Sequence, residues 1–114
     1  MLTIEGLQAL GVNTQEGLER CLNNEAFYFR LVTKALEDDH VERLQAAIDA
    51  NDLDTAFELV HALKGVFGNL ALTPLFDIVN EMTERLRNRE QIDYTDYLTA
   101  ISEKKAALLK LCHD

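Results

Sequence analysis

The sequence predicts an all-α protein, an antiparallel up-and-down four-helix bundle with short N-terminal covering helices. Three observations carry this. Every periodic stretch repeats its apolar residues at helical spacing, and no strand-like alternation persists beyond a few residues. The one proline, Pro74, follows Thr73 as a first-turn proline follows a helix cap. The segments between apolar stripes are short, so successive helices must run antiparallel and bury their stripes against one another.

The elements follow in order. Thr3 to Leu10 reads as a short helix ended by Gly11, and Asn13 with Glu16 three residues on forms a capping pair for a second, to about Leu22. These two are the N-terminal cover. Asn24 caps a helix over Glu25 to Glu37 with an apolar stripe through Phe29, Val32 and Leu36. Asp39, with Glu42 at its third helical position, opens the next, Val41 to Ala50, packed through Val41, Leu44 and Ile48; the Asp38-Asp39 boundary reads as a kink rather than a break. Asn51 is expected to cap the helix that carries His61, with Asp52 and Asp54 near its positive dipole end. Thr73 caps a helix from Pro74 to about Arg87 that buries Leu75, Ile78, Val79, Met82 and Leu86. Asp93 opens the last, Tyr94 to about Cys112, packed through Tyr97, Leu98, Ile101, Leu108 and Leu111, with Lys104, Lys105 and Lys110 towards its negative end.

Composition narrows the function. A chain of 114 residues, 47% of them hydrophobic, suits a single domain over residues 1–114 that buries roughly two-thirds of its unfolded surface. A formal charge of −9 repels phosphate backbones and anionic lipid, which disfavours nucleic-acid binding and membrane adsorption and leaves a protein as the expected partner. No apolar run approaches the roughly 18 residues that span a bilayer, and the N-terminus lacks a basic-then-apolar signal pattern, so a soluble cytoplasmic monomer is expected. Cys21 and Cys112 stand apart from any C-x-x-C pair and read as reduced packing residues.

His61 is the residue on which chemistry centres. At roughly 100° per residue, Lys64, Gly65 and Gly68 fall within about 60° of it on the helical wheel, while Leu59, Leu63, Val66 and Leu70 point the other way. The imidazole should face water. Each mid-helix glycine costs on the order of 1 kcal/mol relative to alanine, so two of them beside one histidine suggest that stability has been exchanged for access. On this wheel a bulky residue at Gly68 meets no core atom. Phe57 projects within about 40° of His61 and is a candidate docking aromatic, with Val60 and Leu72 as extensions of the patch and Asn69 as a polar boundary.

His61-Ala62-Leu63-Lys64-Gly65 followed by Gly68-Asn69-Leu70 resembles the histidine phosphotransfer domain of bacterial and plant-type phosphorelays, whose motif is a histidine, a lysine three residues on, and small residues at plus four and plus seven. The resemblance, which covers nearly the whole chain, implies a helical bundle that accepts a phosphoryl group on His61 and passes it on. It implies receiver domains of response regulators or of a hybrid sensor kinase as partners, with an aspartyl phosphate held there by magnesium and a path from aspartate to His61 to aspartate. Family members often set a Gln or Glu of the following helix beside the imidazole; Asn80, Thr83 and Glu84 are the candidates here.

Elementary chemistry is compatible with that role. Near pH 7 an exposed imidazole is mostly uncharged and its free ring nitrogen is a nucleophile. Phosphoryl transfer asks for alignment and charge neutralisation, of which Lys64 can supply part and the glycines the clearance. The acidic residues are spread over many helix surfaces, so no metal or cofactor is expected on this chain and magnesium should arrive with the partner. A kinase or phosphatase is disfavoured, because no Gly-rich nucleotide loop is present and the chain is too short for an ATP-binding α/β domain beside the bundle. The expectation is therefore a phosphocarrier without autokinase activity; a helical adaptor that binds protein without phosphotransfer is the alternative. His40 and His113 lack the lysine and glycine setting and read as inert, three histidines so far apart do not suggest a metal site, and Glu37, Asp38 and Asp39 read as a solvated bend.

Overall fold

A side-chain oxygen that accepts a free first-turn amide opens most of the helices. The computed structural model describes residues 1–113 and contains α1 (Ile4–Ala9), α2 (Thr14–Arg20), α3 (Glu25–Glu37), α4 (His40–Asp49), α5 (Leu53–Asn69), α6 (Thr73–Arg87) and α7 (Thr95–His113). The side chains of Thr3, Asn13 and Asn24 accept from the amides of Gly6, Glu16 and Phe27, satisfying donors that the helix itself leaves orphaned.

Three caps differ from the sequence expectation. Asp52, not Asn51, caps α5, its carboxylate accepting the Thr55 amide and hydroxyl at 3.2 and 2.7 Å. Asn51 takes the left-handed conformation instead, φ 54°, where asparagine is tolerated and the chain can reverse. At the start of α4, Asp39 makes no side-chain cap; the preceding Asp38 accepts the His40 amide at 2.8 Å. Asp38 is extended, with ψ 153°, so the α3–α4 boundary is a break and not the expected kink. Thr73 is the first residue of α6, and Leu72 occupies the cap position.

The buried stripes of α3 to α7 converge on one core in which Val32, Leu36, Leu44, Leu63, Phe67, Leu75, Val79, Met82, Leu86, Ile101 and Leu108 are sealed from solvent. α5 packs between α4 and α6, α6 against α7, and α7 against both α3 and α4, so the broken α3–α4 arm completes a four-membered bundle. Lys105 departs from the expected role at the negative end of α7. It is only 7% exposed, and its ammonium donates to the Asp38 carbonyl at 3.1 Å and to Glu42 at 3.0 Å, fastening α7 to the α3–α4 break. That bond also holds the Glu42 carboxyl below the usual range.

α1 and α2 lie over one side of this bundle. The Asn13 amide donates to the Ala71 carbonyl at 3.1 Å, which pins the start of α2 to the α5–α6 turn. Gly17 of α2 faces the buried Tyr28 ring so closely that a Cβ would stand 2.5 Å from it, and the Tyr28 hydroxyl donates to the Leu70 carbonyl at 2.8 Å. Helix α2 is thereby set beside the second half of α5. Among the described residues no helix is long and apolar enough to cross a membrane.

Candidate functional site

The roll of α5 decides what His61 meets. The buried residues Ala56, Leu59, Val60, Leu63, Phe67 and Leu70 centre on the wheel between Leu63 and Phe67, not diametrically opposite His61. This turns Val60 into the core and leaves Val66 42% exposed, the reverse of both sequence expectations. Leu72, expected to extend the docking patch, is likewise fully buried at the start of α6. His61 remains exposed.

The same roll separates the two glycines. A Cβ on Gly65 would meet nothing within 4 Å, whereas one on Gly68 would stand 3.1 Å from Cε1 of Phe76. The expected open strip thus exists at Gly65 and is closed at Gly68, where α6 leans a phenyl ring across the small residue.

His61, Lys64, Gly65 and Gly68 share a cleft of about 400 Å³ whose far walls are Phe76 of α6 and the pair Glu16 and Arg20 of α2. Arg20 is a feature that reasoning from sequence missed. Its guanidinium is half exposed and donates to Glu16 at 3.0 Å, while Lys64 makes no ion pair among the described residues. Two cations and the Glu16 carboxylate therefore line the cleft, a net positive lining on a chain whose net charge is −9, which suits it to an anion carried by a partner.

Phe57 lies one turn before His61, half-buried, with the two rings stacked at a centroid distance of 5.7 Å and an interplanar angle of 8°. Guanidiniums from the end of α6 reach the same phenyl ring, Arg87 at 5.4 Å and Arg89 at 4.8 Å from its centroid, contacts worth about 0.5–1 kcal/mol each at an exposed site. Arg89 is anchored in turn, donating to Asp54 at 2.6 Å and to the Leu86 carbonyl at 2.7 Å. No hydrogen bond to the His61 imidazole exists among the described residues. Of the α6 candidates, Thr83 is buried and donates to the Val79 carbonyl at 2.6 Å, Glu84 pairs with Arg87 at 3.6 Å, and Asn80 is exposed.

Among the described residues the close grouping of metal-type ligands is Asp38, Asp39 and His40 at the α3–α4 break, and none of the three lines the His61 cleft. His40 is paired with Asp38 there. Burial pushes the Asp38 carboxyl up, but hydrogen bonds from His40 outweigh it and leave that carboxyl below its ordinary range. Cys21 and Cys112 are free thiols.

A family model for the Hpt domain matches residues 33–112, from late α3 to the end of α7. The chain belongs to the Hpt domain family. No curated protein and no solved structure matches it. Hpt domains are phosphocarriers of two-component signalling that work with receiver domains, and the all-helical architecture of this chain is theirs. The Hpt match contains the whole of α5, and so His61, Lys64, Gly65 and Gly68. Arg20 and Gly17 precede the matched segment.

Proposed function

We propose that this chain is a phosphorelay intermediate in which His61 takes a phosphoryl group from the aspartate of one receiver domain and yields it to the aspartate of another. The observation that carries this is the setting of His61: an exposed imidazole with its approach cleared at Gly65 and with Lys64 and Arg20 lining the same cleft. A ring-nitrogen lone pair forms the N–P bond while the P–O bond to the donor aspartate breaks, its electron pair remaining on the carboxylate. The proton already on the other ring nitrogen stays there, so the product joins a cationic ring to an anionic phosphoryl group. Lys64 and Arg20 offset the phosphoryl charge as it comes off the metal-bound donor. Phe57 and Gly65 form part of the surface over which the receiver sits, Gly68 lets Phe76 close the cleft wall beside it, and magnesium belongs to the receiver. In this reading the chain acts as a cytoplasmic monomer, a carrier without autokinase activity.

Incubation with phosphorylated receiver domains should produce acid-labile, base-stable phosphate on the parent and on His40→Gln, and none on a folded His61→Gln. ATP and magnesium alone should leave the parent unlabelled. Label retained by His61→Gln removes the assignment, and stoichiometric labelling by ATP alone removes the carrier role. A chain that binds receivers but is never phosphorylated is instead the adaptor.

A further inference from the structure

We infer that Phe57 is a positioning residue for phosphoryl transfer, fixing the plane of the His61 ring where no hydrogen bond does so; the inference rests on His61 being the acceptor. The nucleophilic lone pair of an imidazole lies in the ring plane, so the direction of attack is set by the torsion that rotates that plane. For histidine this torsion has a broad, shallow preference, and an exposed ring without a hydrogen-bond partner is free to sweep through it. Here the ring is laid parallel to Phe57 at 5.7 Å and 8°, an offset stack of the kind aromatic pairs favour.

The phenyl ring is itself restrained, which is what makes it a template instead of a second mobile group. It is half-buried on α5, with the Arg89 and Arg87 guanidiniums at 4.8 and 5.4 Å from its centroid. Arg89 is tied to Asp54 in the first turn of α5 at 2.6 Å and to the last turn of α6 through the Leu86 carbonyl at 2.7 Å. The chain of contacts from the α6–α7 turn through Arg89 and Phe57 ends on the imidazole. With one ring face covered by Phe57, attack proceeds in the ring plane, along an edge that the stack leaves uncovered, and the following turn adds no side chain at Gly65. Misplacement of a reacting atom by about 1 Å can cost on the order of a hundredfold in rate, so loss of the template should be visible even with a donor that needs no docking.

Phosphoramidate is such a donor: the N–P bond to His61 forms as its own P–N bond breaks and ammonia leaves with the electron pair. Phe57→Leu keeps the apolar contact and removes the flat surface, whereas Phe57→Tyr keeps both. We expect Phe57→Leu to be labelled by phosphoramidate on the order of tenfold more slowly than the parent and Phe57→Tyr to recover most of the rate. The His61 ring-proton resonances should be displaced by the phenyl ring current in the parent and in Phe57→Tyr, and should move to free-histidine positions in Phe57→Leu. If Phe57→Leu is labelled at the parental rate, Phe57 does not position the ring, and a defect confined to receiver donors makes it a docking anchor only. Free-histidine resonances in the parent overturn the inference without any variant, so a misfolded Phe57→Leu does not shelter it. A parent that phosphoramidate never labels removes the acceptor role of His61 and the positioning role with it; where the parent is labelled, the rates of the Phe57 variants bear on positioning alone.

Discussion

Phe76 of α6 lies across Gly68 of α5, so that a Cβ at Gly68 would stand 3.1 and 3.3 Å from its ring carbons. Such a contact is tighter than ordinary van der Waals separation, and the ring must give before any side chain fits. Gly65, one turn earlier, has no such neighbour. The two glycines of one motif therefore answer to different constraints, Gly68 to helix packing and Gly65 to access.

Alanine at the two positions should separate those constraints. Gly65→Ala gains helix propensity with no steric cost, about 1 kcal/mol, or roughly 4 °C in Tm for a domain of this size, and a bulkier Gly65→Gln should impede receiver-driven phosphorylation. Gly68→Ala should gain less or nothing, because Phe76 must move. Calorimetry checks this: equal gains at both positions would mean that Phe76 does not restrain Gly68.

Lys64 and Arg20 should act on the phosphorylated state more than on the fold, since Lys64 is only partly buried and Arg20 half exposed. Alanine at either should slow uptake or shorten the phosphohistidine lifetime with little change in Tm, and the double variant should exceed each single one. A charge-assisted hydrogen bond is worth roughly 1.5–3 kcal/mol at best and less when hydrated, so several-fold is the expected scale. Unchanged uptake and decay of isolated phospho-protein for Arg20→Ala would confine that residue to its bond with Glu16.

Local rules made parts of this architecture legible and missed what depends on distant segments. The Asn13 and Asn24 caps can be read because a capping side chain reaches an amide only three residues on; the exchange of Asn51 for Asp52 is a one-residue ambiguity between adjacent residues that can both cap. The proximity of Phe57 to His61 follows from their i,i+4 spacing. The roll of α5 does not follow from its own sequence. Val60 and Val66 are equally apolar, and which is covered depends on where α4 and α6 lie. Arg20 reaches the cleft only because the Asn13–Ala71 bond and the Gly17–Tyr28 contact dock α2 there, and Arg89 reaches Phe57 only through the turn after α6.

Gly17→Ala tests that docking directly. The Tyr28 ring cannot swing away from a new methyl group, since it is fully buried and its hydroxyl is engaged by the Leu70 carbonyl at 2.8 Å. Overpacking of this kind costs about 1–3 kcal/mol, of which about 1 kcal/mol is offset by helix propensity, leaving a net loss of up to about 2 kcal/mol, roughly 8 °C in Tm. α2 should be displaced, so amide exchange should rise in α2 more than in α6 or α7. A variant as stable as the parent, with α2 protection unchanged, would show that the two helices are not in close contact.

Tyr28 also predicts how the fold responds to alkali. Burial, reinforced by the neighbouring Cys21 charge, pushes its hydroxyl up to about 12 from an ordinary 10.0. Below pH 10 the phenol is protonated in both folded and unfolded chains and contributes no pH dependence. Between 10 and 12 the unfolded chain releases the proton while the folded one retains it, so the unfolded state binds fewer protons and stability falls as pH rises, by on the order of 1–3 kcal/mol across the interval. Tyr28→Phe removes the titrating group. It should be less stable than the parent at pH 8, by about 1–3 kcal/mol, because the buried Leu70 carbonyl loses its donor. Its urea midpoint should nevertheless decline less steeply from pH 10 upward. Burial also raises Tyr94 and Tyr97, so a residual slope should persist in the variant. Parallel midpoint curves for the two proteins above pH 10 would show that Tyr28 ionises as readily in the folded chain as in the unfolded one.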